Sequence, residues 1–187
     1  MENISHIKKI SIWIFVVPVL VLNLCLFISV NYHLFENTIF SVDQIGRSGF
    51  TIPYLDGGIS ISRSARTYPT YLLFKPGMIL TAILLIQYWI ANNKFFKNID
   101  NKIKNNNLFI FFGVGSAIFL IIHATFLGLD IENDLYKFLR RFVLLGFIIF
   151  EIVAQTLLVI KIINTKNKIK EFINSKILFI KIFLVSL

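Results

Sequence analysis

The sequence predicts an all-α fold. It reads as a polytopic transmembrane helix bundle with four full spans and a fifth helix cut short, one integral membrane domain over residues 1–187. Three observations carry this. The 187-residue chain is 56% hydrophobic with a mean hydropathy of +0.75, outside the usual range of soluble domains. Its apolar residues gather into four separate runs, each long enough to cross a bilayer core of ~30 Å at ~1.5 Å per residue. Short lysine-rich segments punctuate those runs.

The first span covers about residues 10–30. Lys8 and Lys9 precede the run ISIWIFVVPVLVLNLCLFISV, an arrangement that resembles a secretory signal. The run is longer than a signal's apolar core and no A-x-A-like cleavage site follows, so it reads as a retained helix. Pro18 falls inside it as an expected kink, and Asn23 puts a polar side chain at depth. Residues 31–70 form a loop broken by Gly46, Gly49, Pro53, Gly57, Gly58 and Pro69, with GFTIPYL and GISIS as short extended pieces. In an extended GISISRS, Ser60, Ser62 and Ser64 would share one edge. The second span follows at 71–91, and the solvated segment NNKFFKNIDNKIKNNN succeeds it. The third span, 108–129, is joined to the fourth, 138–163, by the acidic link DIENDLYK. The last apolar run, 177–187, contains Lys181 and is too short to span as a helix, so it is expected to begin a fifth, with a helix lying at the interface as the alternative.

The net charge is +9, which in a soluble chain would suggest nucleic acid. Here the lysines crowd beside apolar runs and no RNA-binding signature is present, so topology explains them and nucleic acid is not expected as a partner. Lys8 and Lys9, the group Lys94, Lys97, Lys102 and Lys104, and the group Lys161, Lys166, Lys168, Lys170 and Lys176 all fall on one side if each run spans. The excess of lysine assigns that side to the cytoplasm, with the N-terminus there and the 31–70 loop exoplasmic. All five arginines, Arg47, Arg63, Arg66, Arg140 and Arg141, fall on the other side. A guanidinium binds phosphate or carboxylate as a bidentate fork, which an ammonium cannot do. Ser60, Ser62, Arg63, Arg66, Arg140 and Arg141 are therefore candidates for contact with anionic headgroups. Pairing with the outer acids Asp43, Asp56, Asp130, Glu132 and Asp134 is the alternative.

Polar residues also occur at depth. Ser116, His123 and Asp130 are spaced by seven, nearly two helical turns, and share a face. Gly113, Gly115, Ala117, Ala124 and Gly128 offer small surfaces for close helix packing. Glu151 and Gln155 lie one turn apart on the fourth span. Such groups are costly in lipid and should face the bundle interior, which predicts a seam of Ser116, His123, Glu151 and Gln155. The seam reads as a structural hydrogen-bonded pair, a proton or ion path, or a catalytic pair. With only His6, His33 and His123, a histidine-rich metal site is not expected, and there is no H-E-x-x-H or G-x-S-x-G. No cofactor is expected. The single cysteine, Cys25, excludes a disulfide within one chain.

The stretch IPYLDGGISISRSARTYPTYLLF carries a resemblance. It is similar to the Frag/DRAM/Sfk membrane family, which includes the GPI-anchor lipid-remodelling factor and damage-regulated autophagy modulators. The likeness lies in the layout and in a Pro, Ser-Ile-Ser, Pro-aromatic pattern at Pro53, Ser60, Ile61, Ser62, Pro69 and Tyr71, over residues 8–163. The intervening DGG and the arginine spacing depart from that pattern. The resemblance implies five or six helices and a role near membrane lipids, and it brings no catalytic residue with it.

The expected function is that of a lipid-associated, non-catalytic protein of the bacterial inner membrane. Its exoplasmic Ser/Arg loop would contact lipid headgroups or another membrane protein. A small proton- or ion-coupled transporter using His123 and Glu151 is one alternative, and a lipid-modifying membrane enzyme is another.

Overall fold

The computed structural model describes residues 2–35, 37–41, 53–56, 60–99, 108–129, 133–165 and 174–186. The helices are α1 (Glu2–Val30), α2 (Pro53–Asp56), α3 (Ile61–Ser64), α4 (Tyr71–Ile99), α5 (Leu108–Phe126), α6 (Asp134–Asn164) and α7 (Ser175–Ser186). A 3-10 turn, Tyr32–Phe35, follows α1, and there is no strand among the described residues. Four helices, α1, α4, α5 and α6, are long and apolar enough to cross a membrane.

The long helices pack in chain order, α1 on α4, α4 on α5 and α5 on α6, with α7 against α6. One third (33%) of the most apolar window is buried in α4 and in α5, against 17% in α1 and α6, so the first pair forms the middle of the bundle. The outward faces carry Trp13 and Phe15 on α1, Phe111 on α5, and Phe138 and Phe142 on α6. In water such a surface would drive association, whereas lipid tails solvate it at no cost.

Two apolar cores hold the bundle. One lies between α4, α5 and α6, where Trp89, Phe96 and Phe109 are buried with Leu120, Ala154 and Leu158. The Trp89 and Phe96 rings each lie 6.2 Å from Phe109, centroid to centroid. The Lys161 ammonium sits over the Phe109 ring at 4.6 Å and the Phe96 ring at 5.1 Å, so a cation–π contact closes that end. We call it the lysine end. At the opposite, arginine end the core is Cys25, Ala65, Phe74, Met78, Ala124 and Leu127.

Several expectations shift. Three of the long helices outrun their apolar stretches, with α1 starting at Glu2, α4 continuing to Ile99 and α6 starting at Asp134. Hydropathy marks contact with lipid, while lysine and asparagine flanks can continue the same helix in water. Gly128, expected on a packing face of α5, lies past its end with φ +86°, a left-handed conformation that stops the helix. The nearby Tyr136 hydroxyl donates to the Phe126 carbonyl and ties the start of α6 to the end of α5. The two expected extended pieces are helical turns where they are described, α2 and α3. Proline opens α2, where its fixed φ suits a first helical position. Ser60 caps α3, its side chain accepting from the Arg63 backbone N–H at 3.2 Å. Arg47, Asp43, Asp130 and Glu132 lie outside the described residues, as does the side chain of Asp56.

Candidate functional site

The helical turn of α3 undoes the expected serine edge. Ser60 is a cap, Ser62 is exposed, and Ser64 points inward and is fully buried. Ser64 Oγ lies 2.7 Å from Ser29 Oγ of α1. Ser29 gives its own hydrogen to the Cys25 carbonyl at 2.8 Å, so Ser64 must be the donor between the two hydroxyls. Thr67 Oγ1 donates to the Arg63 carbonyl at 2.9 Å, and Thr70 Oγ1 bonds the carbonyls of Ser64 and Thr67. Nearer the middle of α1, Tyr54 of α2 donates to Asn23 Oδ1 at 2.9 Å, giving that deep polar side chain a partner. Residues 60–70 thus form a hydrogen-bonded cap over the arginine end. Ser64→Ala removes one hydrogen bond but strands no donor, so it is expected to cost only about 1 kcal/mol. Thermal unfolding in detergent reads this, and unchanged stability would mean that the Ser29–Ser64 bond does not hold the cap.

Beneath the cap lies a partly open cavity of about 500 Å³. Phe74 and Met78 of α4, Leu120 and His123 of α5, and Leu127 just past the end of α5 form its back. Leu22 of α1 and Arg140, Arg141 and Leu144 of α6 form its flanks, and Ile61, Ser62 and Ala65 close its capped end. The lining is mostly apolar, and its polar groups gather toward the arginine end. Arg66 stands beside this rim, its Nε donating to the Ser62 carbonyl at 2.9 Å. Partial burial, then the positive charges of Arg140 and Arg63, hold the Arg66 guanidinium below the usual arginine range. Arginine starts so far above neutrality that it keeps its charge. Lys137–Asp134, at 3.0 Å, is the one ion pair among the described residues, and both side chains are mostly exposed. No described carboxylate therefore pairs with Arg63, Arg66, Arg140 or Arg141.

The intramembrane seam divides in two. Ser116, Glu151 and Gln155 come together, with Ser116 Oγ 2.7 Å from Glu151 Oε2 and Gln155 Nε2 donating to Glu151 Oε1 at 2.8 Å. Ser116 has one hydrogen and two acceptors in reach, the carboxylate and the Gly113 carbonyl at 2.8 Å. Lys181 of α7 and Tyr88 of α4 lie within electrostatic range of Glu151. His123 is elsewhere. It lies seven residues beyond Ser116, about 10 Å along the helix, where it lines the cavity and interacts with Arg140. No hydrogen bond joins it to Glu151 among the described residues, and its buried Nδ1 has no hydrogen-bond partner there. The described residues also hold no group of three potential metal ligands.

Sequence reasoning did not find the cavity wall of Leu22, Phe74 and Met78, which are ordinary apolar residues on two different helices. It also left Lys181 unpartnered, although a lysine inside an apolar run was a signal that a carboxylate lay nearby. Comparison with protein-family models, curated proteins and solved structures returns no match.

Proposed function

We propose that this integral membrane protein holds an anionic lipid, with the headgroup on the arginine cluster and the chain against the apolar cavity. One observation carries the reading. Arg140 and Arg141 line an apolar cavity, Arg66 lies within electrostatic range of Arg140 and Arg63, and no carboxylate among the described residues forms an ion pair with any of the four. Positive charge concentrated beside a membrane surface attracts phosphate, and the guanidinium fork suits it. The lysine-rich segments support a cytoplasmic lysine end, which puts the arginine end at the outer face of a bacterial inner membrane. The resemblance to the lipid-linked Frag/DRAM/Sfk family points the same way and forms part of the proposal. A proton relay through His123 and Glu151 would have to bridge about 10 Å of helix. A lipid-modifying reaction would need a hydrogen-bonded nucleophile and base, and none is found at the rim among the described residues.

The test is lipid mass spectrometry on protein purified from native membranes. Arg140→Gln/Arg141→Gln and Arg63→Gln/Arg66→Gln each remove two charge-assisted contacts, worth about 1.5–3 kcal/mol apiece. Co-purified anionic lipid is expected to fall at least about tenfold while neutral lipid stays constant. An unchanged lipid profile in both variants would sink the headgroup reading and leave the loop as a structural cap or a protein-binding surface.

A further inference from the structure

The cavity's size and walls say more about the ligand than the arginines do. An apolar cavity of about 150 Å³ takes one benzene ring, so about 500 Å³ takes on the order of twenty carbon atoms. That is one acyl chain of ordinary length and not two. The walls also set a direction. α4 and α5 close the back, the 60–70 cap closes the arginine end, and α1 and α6 stand on opposite flanks without being neighbours in the packing order. The open side therefore lies between α1 and α6, whose outer faces carry exposed Phe15, Phe27, Phe142 and Leu145. A chain leaving the bilayer would slide in sideways past Leu22 and Leu144 while its head stayed at Arg140 and Arg141. His123 adds an imidazole ring to a wall that is otherwise apolar at that level.

We propose that the cavity is a one-chain site. It admits a single acyl chain of an anionic glycerol-based lipid from the side, between α1 and α6, and it reads the head and one chain rather than the whole lipid. This rests on the headgroup reading above and adds the class of ligand. The source is either a lysophospholipid or one chain of a diacyl phospholipid whose second chain stays in the bilayer.

The experiment uses the full chain in nanodiscs of neutral phosphatidylcholine. The probe is lysophosphatidate carrying a diazirine at the end of its chain. After irradiation, adducts are expected on Leu22, Met78 and Leu120, at one per protein. Leu120→Trp fills the cavity and should remove most of them, and Ala65→Phe does the same from the cap if the first variant fails to fold. Arg140→Gln/Arg141→Gln should reduce adducts everywhere. Unlabelled lysophosphatidate and diacyl phosphatidate serve as competitors. Competition by both identifies a diacyl source, competition by the first alone a single-chain source, and either supports a one-chain site. Adducts confined to lipid-facing Phe15 and Phe142 but still arginine-dependent would overturn the one-chain site and leave the headgroup reading standing. Cavity adducts that form equally with a neutral lysophosphatidylcholine probe and ignore the arginine changes would do the reverse. Two adducts per protein within the cavity would overturn the one-chain limit.

Discussion

Gly113→Ala will destabilise the protein, although the same exchange stabilises an ordinary exposed helix by about 1 kcal/mol. A methyl group built on Gly113 would lie 2.3 Å from Cδ2 of Trp89 and 2.4 Å from Cε2 and Cγ. The atoms it meets belong to a rigid ring that is fully buried, with Phe109 packed on it and Tyr88 edge-on at 5.3 Å. The ring cannot step aside without disturbing the core that joins α4 to α5. Overpacking of this kind costs about 1–3 kcal/mol and more where relaxation is blocked. That outweighs the propensity gain, so the net sign is a loss of about 1–3 kcal/mol. Gly113→Val should be worse and fail to yield folded protein. The measurement is thermal or denaturant unfolding in detergent, run as a double-mutant cycle with Trp89→Leu. Trp89→Leu alone leaves a cavity and costs about 3 kcal/mol, yet the methyl group of Gly113→Ala then has space. The double variant should therefore lose clearly less than the sum of the singles. Neutrality of Gly113→Ala, or strict additivity with Trp89→Leu, would mean that α4 and α5 do not approach as closely as described.

The order of helices and the location of the small residues were legible in the sequence because both follow from local composition. A run of apolar residues is long enough to span or it is not, and Gly113, Ala117 and Ala124 needed only helical spacing to fall on one packed face. What stayed hidden depends on which helix neighbours which. Leu22, Met78 and Leu144 look alike as residues, and only the packing order makes them three walls of one cavity. His123 illustrates the limit. Its spacing from Ser116 was right and both face inward, but two turns of α5 are enough to give them different partners on α6, Arg140 for one and Glu151 for the other. The Ser60–Ser64 stretch failed for a different reason. Alternating serines suit an extended strand by pattern, yet a serine with a free hydroxyl caps a helical turn just as readily, and Ser60 does so.

The remaining large effect is expected at Glu151, where charge and hydrogen bonding can be separated. Both carboxylate oxygens have a hydrogen-bond partner in reach, Ser116 for one and Gln155 for the other, with Lys181 and Tyr88 within electrostatic range. Ser116→Ala leaves Oε2 without its partner, and an unsatisfied, partly buried oxygen of this kind costs about 1–3 kcal/mol. Glu151→Gln behaves differently. Its carbonyl oxygen can accept from Ser116, and its amide can donate to Gln155 once that side chain turns its own oxygen inward, so both bonds survive while the charge is lost. Only the electrostatic attraction to Lys181 of α7 then disappears. The two variants should therefore fail in different places. Ser116→Ala should lower the global unfolding temperature and weaken α5 against α6. Glu151→Gln should leave those helices protected and release α7, seen as faster amide hydrogen exchange across 175–186 with little change elsewhere. Lys181→Met, which removes the same pair from the other side, should reproduce the Glu151→Gln exchange pattern. If Glu151→Gln instead loosened α5 and α6 and left 175–186 untouched, Lys181 would have no role in docking α7, and the helix would be held on α6 by its apolar contacts alone.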